Sequence, residues 1–169
     1  GMADAGVLFH AVQGAIRVNG RLATPRTRIH PDARLDLAPD ASASLVMGDN
    51  AFLLKSGARV QLIPQTGAKA AISGFRLITG GLLGVFGPGP KKLITTTATI
   101  GIRGTGVYFE SGKEDSYICL CYGALDLEAN QQPGQLQAMQ ATHHDARSIT
   151  AKGDIASAAM INHTDEELI

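Results

Sequence analysis

Turn-forming residues interrupt this chain at short and nearly even intervals. No stretch before residue 140 keeps a 3.6-residue apolar period long enough for a helix. The interruptions are Asn19-Gly20, Ala38-Pro39-Asp40, Gly48-Asp49-Asn50, Ser56-Gly57, Gly87-Pro88-Gly89-Pro90 and Ser111-Gly112-Lys113. Each supplies a residue tolerant of positive φ or a proline with φ preset near about −65°. Strand-length apolar runs lie between them, at 6–12, 14–19, 34–37, 42–47, 50–55, 59–63, 75–79, 82–86, 92–97, 107–110, 116–122 and 124–128. Several alternate: Ala43, Leu45 and Met47 fall on one side and Ser42 and Ser44 on the other, and Leu35 and Leu37 oppose Asp36. Short alternating strands with turns every 8–12 residues or so predict an all-β fold. The expected form is a sandwich or a β-roll, solenoid-like stack of short, mostly antiparallel strands.

The texture changes near residue 130. Residues 1–5, with Gly1 ahead of Met2, read as a tag remnant and leader, 6–128 as the β domain, and 129–152 as a polar, Gln-rich loop. In the tail, 153–169, Ile155, Ala158, Ala159 and Asn162 have helical spacing and predict a short C-terminal helix. Thr164-Asp165-Glu166-Glu167 fits a capping box, in which the Thr164 hydroxyl accepts the Glu167 amide and the Glu167 carboxylate accepts the Thr164 amide.

Composition removes several classes of function. Fifteen basic and fifteen acidic residues cancel, so no net charge draws the chain to nucleic acid or to an anionic membrane. Aromatic residues make up 5% and Trp is absent, which leaves little for a base-stacking surface. No apolar run approaches the roughly 20 residues of a membrane-spanning helix. The start, "GMADAGVLFH", lacks the basic and apolar regions of a signal peptide.

Catalytic patterns are absent too. There is no Gly-x-Ser-x-Gly elbow and no His-Glu-x-x-His, so the chain is expected not to be an enzyme. The glycine-rich run Gly101-Ile102-Arg103-Gly104-Thr105-Gly106 leads into another strand, "VYFE", whereas a phosphate cradle leads into a helix. Glycines inside a strand mark a bulge or a close backbone approach, and three here predict a sharp bend between two sheets. Arg103 is expected to clamp loop carbonyls or a carboxylate there. "GGLLGVFGPGPKK" reads as a hairpin with a long Gly-Pro turn.

Both cysteines lie in "SYICLCYG", at 119 and 121. In a strand they share a face with Tyr117, and their Cα atoms stand about 6.5–7 Å apart, at or beyond disulfide reach. Three readings stay open, one of them redox or other cysteine chemistry. A strand buried on both sides uses cysteine as a small hydrophobe. Alternatively, Cys119 and Cys121 chelate zinc together with His143 and His144 of the polar loop, with His163 a further candidate, as a Cys2His2 set.

The run from Val7 to Leu62, "VLFHAVQGAIRVNGRLATPRTRIHPDARLDLAPDASASLVMGDNAFLLKSGARVQL", and the segment "ITTTATIGIRGTGVYFE" at 94–110 resemble the FecR-like domain. The order and spacing of these pieces carry the resemblance across about residues 6–128. It implies a non-enzymatic, periplasmic or otherwise extracytoplasmic β module of a bacterial envelope. Such a module senses signals or interacts with a protein partner or a cell-surface polymer. The family's sigma-binding helices and membrane span have no counterpart in these residues, so the anti-sigma role does not transfer. The alternative role is a metal-binding sensor or structural metal site.

Overall fold

The structure is a computed structural model that describes residues 6–66 and 72–168. The leader assignment for 1–5 lies outside the described residues. In chain order the strands are β1 Ala11–Gln13, β2 Ile16–Val18, β3 Arg21–Leu22, β4 Arg34–Leu37, β5 Ser42–Met47, β6 Asn50–Leu54 and β7 Arg59–Pro64. They continue with β8 Ile72–Val85, β9 Lys91–Ile94, β10 Ala98–Ser111, β11 Ser116–Ala129, β12 Gln137–Ala141, β13 Asp145–Ile149 and β14 Ile155–Ala158. The all-β expectation holds: the strands form one open, mixed sheet that does not close into a barrel.

Three long strands fold that sheet over. Residues 72–79 of β8 pair with β7 and β9, while residues 80–85 pair with β6 and β10. The first half of β10 pairs with β9 and the second half of β11, and its second half pairs with β8 and the first half of β11. Two layers result. One holds β3, β2, β4, β7, β9 and β12, and the other holds β1, β5, β6, β13 and β14, with β8, β10 and β11 running through both. Phe52 of one layer meets Phe75 of the other edge-to-face, with centroids 4.7 Å apart, and Phe75 meets Phe86 at 5.6 Å. The main core of Leu, Ile, Val and Phe side chains fills the space between the layers.

The bends fall at glycine. Gly80 has φ +84°, and a Cβ there would stand 2.6 Å from the Ala58 Cα. In β10, Gly104 and Thr105 together face Gly123, so the register passes from Arg103–Ala124 to Gly106–Tyr122 through a bulge. Gly106 leaves room for the Tyr122 ring, which a Cβ would approach to 2.3 Å. Gly101 has open space around it. Strand alternation ahead of the bulge places Arg103 outward, where it is exposed and makes no side-chain hydrogen bond among the described residues, so it is not the expected clamp. Thr105 points inward instead, fully buried, with its hydroxyl 2.5 Å from the Arg103 carbonyl and 3.0 Å from the Ala124 carbonyl.

Two further expectations change. The Gly87–Pro90 segment is a crossover between layers. Because β8 has bent away, β9 lies parallel to its first half, with Gly74 opposite Lys92. A Cβ on Gly74 would sit 1.9 Å from the Lys92 carbonyl oxygen. The polar stretch 129–152 contains β12 and β13, and the expected helical tail contains β14. Pairing along β11 and β13, with Met139 and Ile149 buried, outweighs weak local patterning. What remains of the helix is one 3-10 turn, Glu166–Leu168. The capping box closes it: the Thr164 amide donates to Glu167 Oε1 at 2.9 Å, and the Glu167 amide donates to Thr164 Oγ1 at 3.3 Å.

Replacing Gly74 or Gly80 by alanine should each lower stability by about 1–3 kcal/mol, while Gly101→Ala should stay within about 0.5 kcal/mol of the parent. Urea midpoints decide this, and equal midpoints for Gly74→Ala and Gly101→Ala would contradict the packing described.

Candidate metal centre

Side chains alternate along β11. Ile118 and Leu120 enter the main core, and Tyr117, Cys119 and Cys121 take the outer face of the second layer. There they form a separate small cluster with Leu83 of β8, Tyr108 of β10 and Ala146 of β13. Both thiols are free, and Cys119 is fully buried. The strand is thus apolar on both faces, as the packing reading requires.

Two histidines descend on this face from different segments. His144 ends the turn between β12 and β13 with φ +43°, and its amide donates to the Cys121 carbonyl at 3.1 Å. That bond hangs the imidazole over the thiols. His163 follows β14 and a reversal at Asn162, where φ is +60°. It is only 6% exposed and stacks on the Tyr108 ring, with centroids 4.6 Å apart.

The contacts form two facing pairs. Cys119 Sγ lies 3.4 Å from His144 Nδ1, and Cys121 Sγ lies 3.5 Å from His163 Nε2. All four potential ligand atoms lie within 4.8 Å of one another. The far nitrogens set the tautomers. His163 Nδ1 is 2.7 Å from the Ile161 carbonyl, which can only accept, so that nitrogen carries the proton. His144 Nε2 is 2.5 Å from the Asp165 carboxylate and donates to it. In the neutral form of each ring the remaining lone pair therefore faces a sulfur.

The electrostatics follow from this geometry. The hydrogen bond from Cys121 pulls the Cys119 thiol down to about 6, and His144 and His163 reinforce the shift against burial. Cys121 is pushed well above the ordinary thiol range by its bond to Cys119 and by burial. The pair therefore gives up one proton readily and holds the second. For His144 burial favours the neutral ring, but the bonds to Asp165 and Cys119 outweigh it and raise the pKa. The same bond lowers Asp165. Tyr117 is pushed up to about 12, by burial first and then by the nearby Cys119 charge. Tyr108 rises further through burial and its 2.5 Å bond to Glu110.

Of the expected ligands, Cys119, Cys121 and His144 converge and His143 does not. Its side chain is 74% exposed, and its Nε2 lies 3.9 Å from Asp165 Oδ2. The pair lies in a turn and not in an extended strand: His144 reaches inward to Cys119, while the His143 ring stays outside it, edge-on with centroids 4.7 Å apart. His163 takes the fourth position. Asp165 was not among the expected residues, because a carboxylate two residues past a histidine forms no recognisable spacing. The glycine motif at 101–106 lies at the layer bend and contributes nothing to this cluster.

No family model matches the chain, and no curated protein does. The fold is similar to two crystal structures, at 2.50 and 1.65 Å resolution, of a protein from Parabacteroides distasonis assigned as an anti-sigma factor. The TM-scores are 0.58 and 0.59, with 10% identity over 74% of this chain and 58% of the other. The chain therefore spans less than two thirds of those proteins, and the likeness is one of fold.

Proposed function

We propose that this chain is a metal-binding β module, in which Cys119, Cys121, His144 and His163 chelate a zinc-class divalent cation. The observation that carries this reading is the convergence of two thiol–imidazole pairs whose ring lone pairs both face inward. One such pair alone is an ordinary hydrogen bond. Two facing pairs, 3.4 and 3.5 Å across, match the separation of about 3.5 Å between sulfur and nitrogen ligands on a tetrahedral zinc.

The remaining chemistry agrees. Two thiolates, two neutral imidazoles and a dication sum to zero, which suits a buried site. Sulfur ligands favour zinc over calcium or magnesium, which take oxygen ligands. Asp165 and the Ile161 carbonyl supply the outer hydrogen bonds that ligating histidines ordinarily make. Four protein ligands leave no position for a substrate, so the role is structural or regulatory and not catalytic.

The likeness of fold to an assigned anti-sigma factor and the FecR-like motifs support a wider setting for this centre. In that setting the module acts in signalling by binding a protein partner, outside the cytoplasm.

Protein purified without a polyhistidine tag should carry one zinc per chain by elemental analysis. Cobalt exchanged into it should show the visible bands of tetrahedral thiolate coordination. Cys121→Ser and His163→Ala should lose the metal, whereas His143→Ala should keep it. Folded protein that takes up no metal on reconstitution would overturn the reading.

Asp165→Asn keeps the shape but weakens the acceptor, and should cost roughly 10–100-fold in zinc affinity, measured by chelator competition. Unchanged affinity would remove Asp165 from the site.

A further inference from the structure

The chain beyond β14 runs back across the outer face of the second layer without joining the sheet. Among residues 159–167 only His163 is buried; Met160 and Ile161 are 38% and 41% exposed. The segment therefore has no apolar anchor. Its other attachments are polar and lie at the solvent margin. The Tyr117 hydroxyl is 2.6 Å from the Ala159 carbonyl and accepts the Ile161 amide at 3.1 Å. Asn162 Nδ2 donates to Glu110 at 2.5 Å, and Lys55 Nζ reaches the Asn162 carbonyl at 3.0 Å and Glu167 at 2.7 Å. Contacts of this kind contribute little against the cost of ordering the backbone of an exposed segment.

Among residues 159–167 His163 alone places its side chain in the buried cluster, the Tyr117 hydroxyl holds the Ala159 and Ile161 backbone from the cluster's edge, and Asp165 reaches to the other ring, His144. His163 and Asp165 belong to the proposed ion site or its outer shell. The same segment forms part of the rim of a groove of about 680 Å³, where Ile161 and Asn162 stand beside Lys55, Glu110, Tyr108 and Tyr117.

Resting on the metal-binding reading, we infer that the ion works as a latch: its occupancy decides whether residues 159–168 are docked on the sheet. With the ion bound, the segment closes over Tyr108, Tyr117, Cys119 and Cys121. Without it, His163 is held by one thiol and one stacked ring, and the segment lifts. That opens the groove onto an apolar face carrying two accessible thiols. Ion concentration is thereby converted into exposure of a surface on one side of the domain, while the core between the layers, on the opposite face of β11, is untouched.

Coupling of this kind is reciprocal, so a residue that holds the segment without touching the ion must also set ion affinity. Lys55 is such a residue. Hydrogen exchange on the full chain, with and without one equivalent of zinc, reads the segment directly. The amides of Ile161, Thr164 and Glu167 should slow by about tenfold or more with zinc, while those of the β10–β11 ladder stay unchanged. Lys55→Met should weaken zinc binding about fivefold or more, within the usual range of coupling.

Zinc that binds without slowing those three amides would overturn the latch and leave the metal site standing. Equal slowing throughout β10 and β11 would also overturn it, since the ion would then stabilise the whole domain. Unchanged zinc affinity in Lys55→Met would rule out the reciprocal coupling. Absence of zinc binding in the parent would remove the metal site itself, and the latch with it.

Discussion

Strand β11 is hydrogen-bonded along both edges, to β10 on one side and to β12 and β13 on the other. That double pairing fixes the direction of every side chain it carries. A slip of one residue would send Cys119 and Cys121 into the main core and turn Ile118 and Leu120 outward. Burial of those two aliphatic side chains makes such a slip costly, at about 1.5–3 kcal/mol for each large apolar side chain exposed. The position of the thiols is thus enforced by residues that have no part in the site. Tyr108 on β10 is set the same way, because Val107 and Phe109 on either side of it are fully buried.

The bends at Gly80, at Gly104–Gly106 and at Gly123 do a second job. They let one sheet supply both layers, so that a long strand can be core on one face along its whole length and yet change neighbours halfway. In β11 the change occurs at Gly123, with φ +99° and the Gly104 carbonyl 3.0 Å from where a Cβ would lie. Before it the strand borders β13, and after it β12. The link between those two strands passes the bend along the same edge of β11, with one residue more than β11 has opposite it, and His144 sits in that link. The extra residue in that link turns His144 over Cys121, where its amide bonds the Cys121 carbonyl.

Much of this was legible in the sequence, and for identifiable reasons. Turn chemistry located strands β4 and β5 to the residue and β6 and β7 to within one, because Ala38-Pro39-Asp40, Gly48-Asp49-Asn50 and Ser56-Gly57 separate them sharply. The shared face of Tyr117, Cys119 and Cys121 followed from period two alone. The run Gly101–Gly106 signalled a bend, though not which side chain would stabilise it. Thr105 took that part because the bulge after Arg103 turns residue 105 to the opposite face. The strands after residue 130 were not legible: β12 and β14 are short, carry few large apolar residues, and exist because β11 and β13 offer them unpaired edges. The proposed ligand set was half legible. Cys119 and Cys121 announce themselves by spacing, but His144 over His143, and His163 from 42 residues beyond Cys121, depend on a turn and a reversal that no local pattern encodes.

The separation of the ligands along the chain bears on how the site relates to folding. In a small zinc finger the ion substitutes for a core, and the peptide is unfolded without it. Here the core lies on the other face of the sheet and draws on nearly every strand before residue 130, with no contribution from the thiols. The sheet can form first and present Cys119 and Cys121 as a finished surface. His144 is then placed by a backbone bond to the Cys121 carbonyl, which requires β12 and β13 but no ion. His163 alone arrives on a segment that is not paired into the sheet and is otherwise attached to it by polar contacts. In the metal-bound form proposed above, the free energy of closing the four-ligand site would therefore fall on a segment outside the sheet, where it acts on conformation more than on the integrity of the fold.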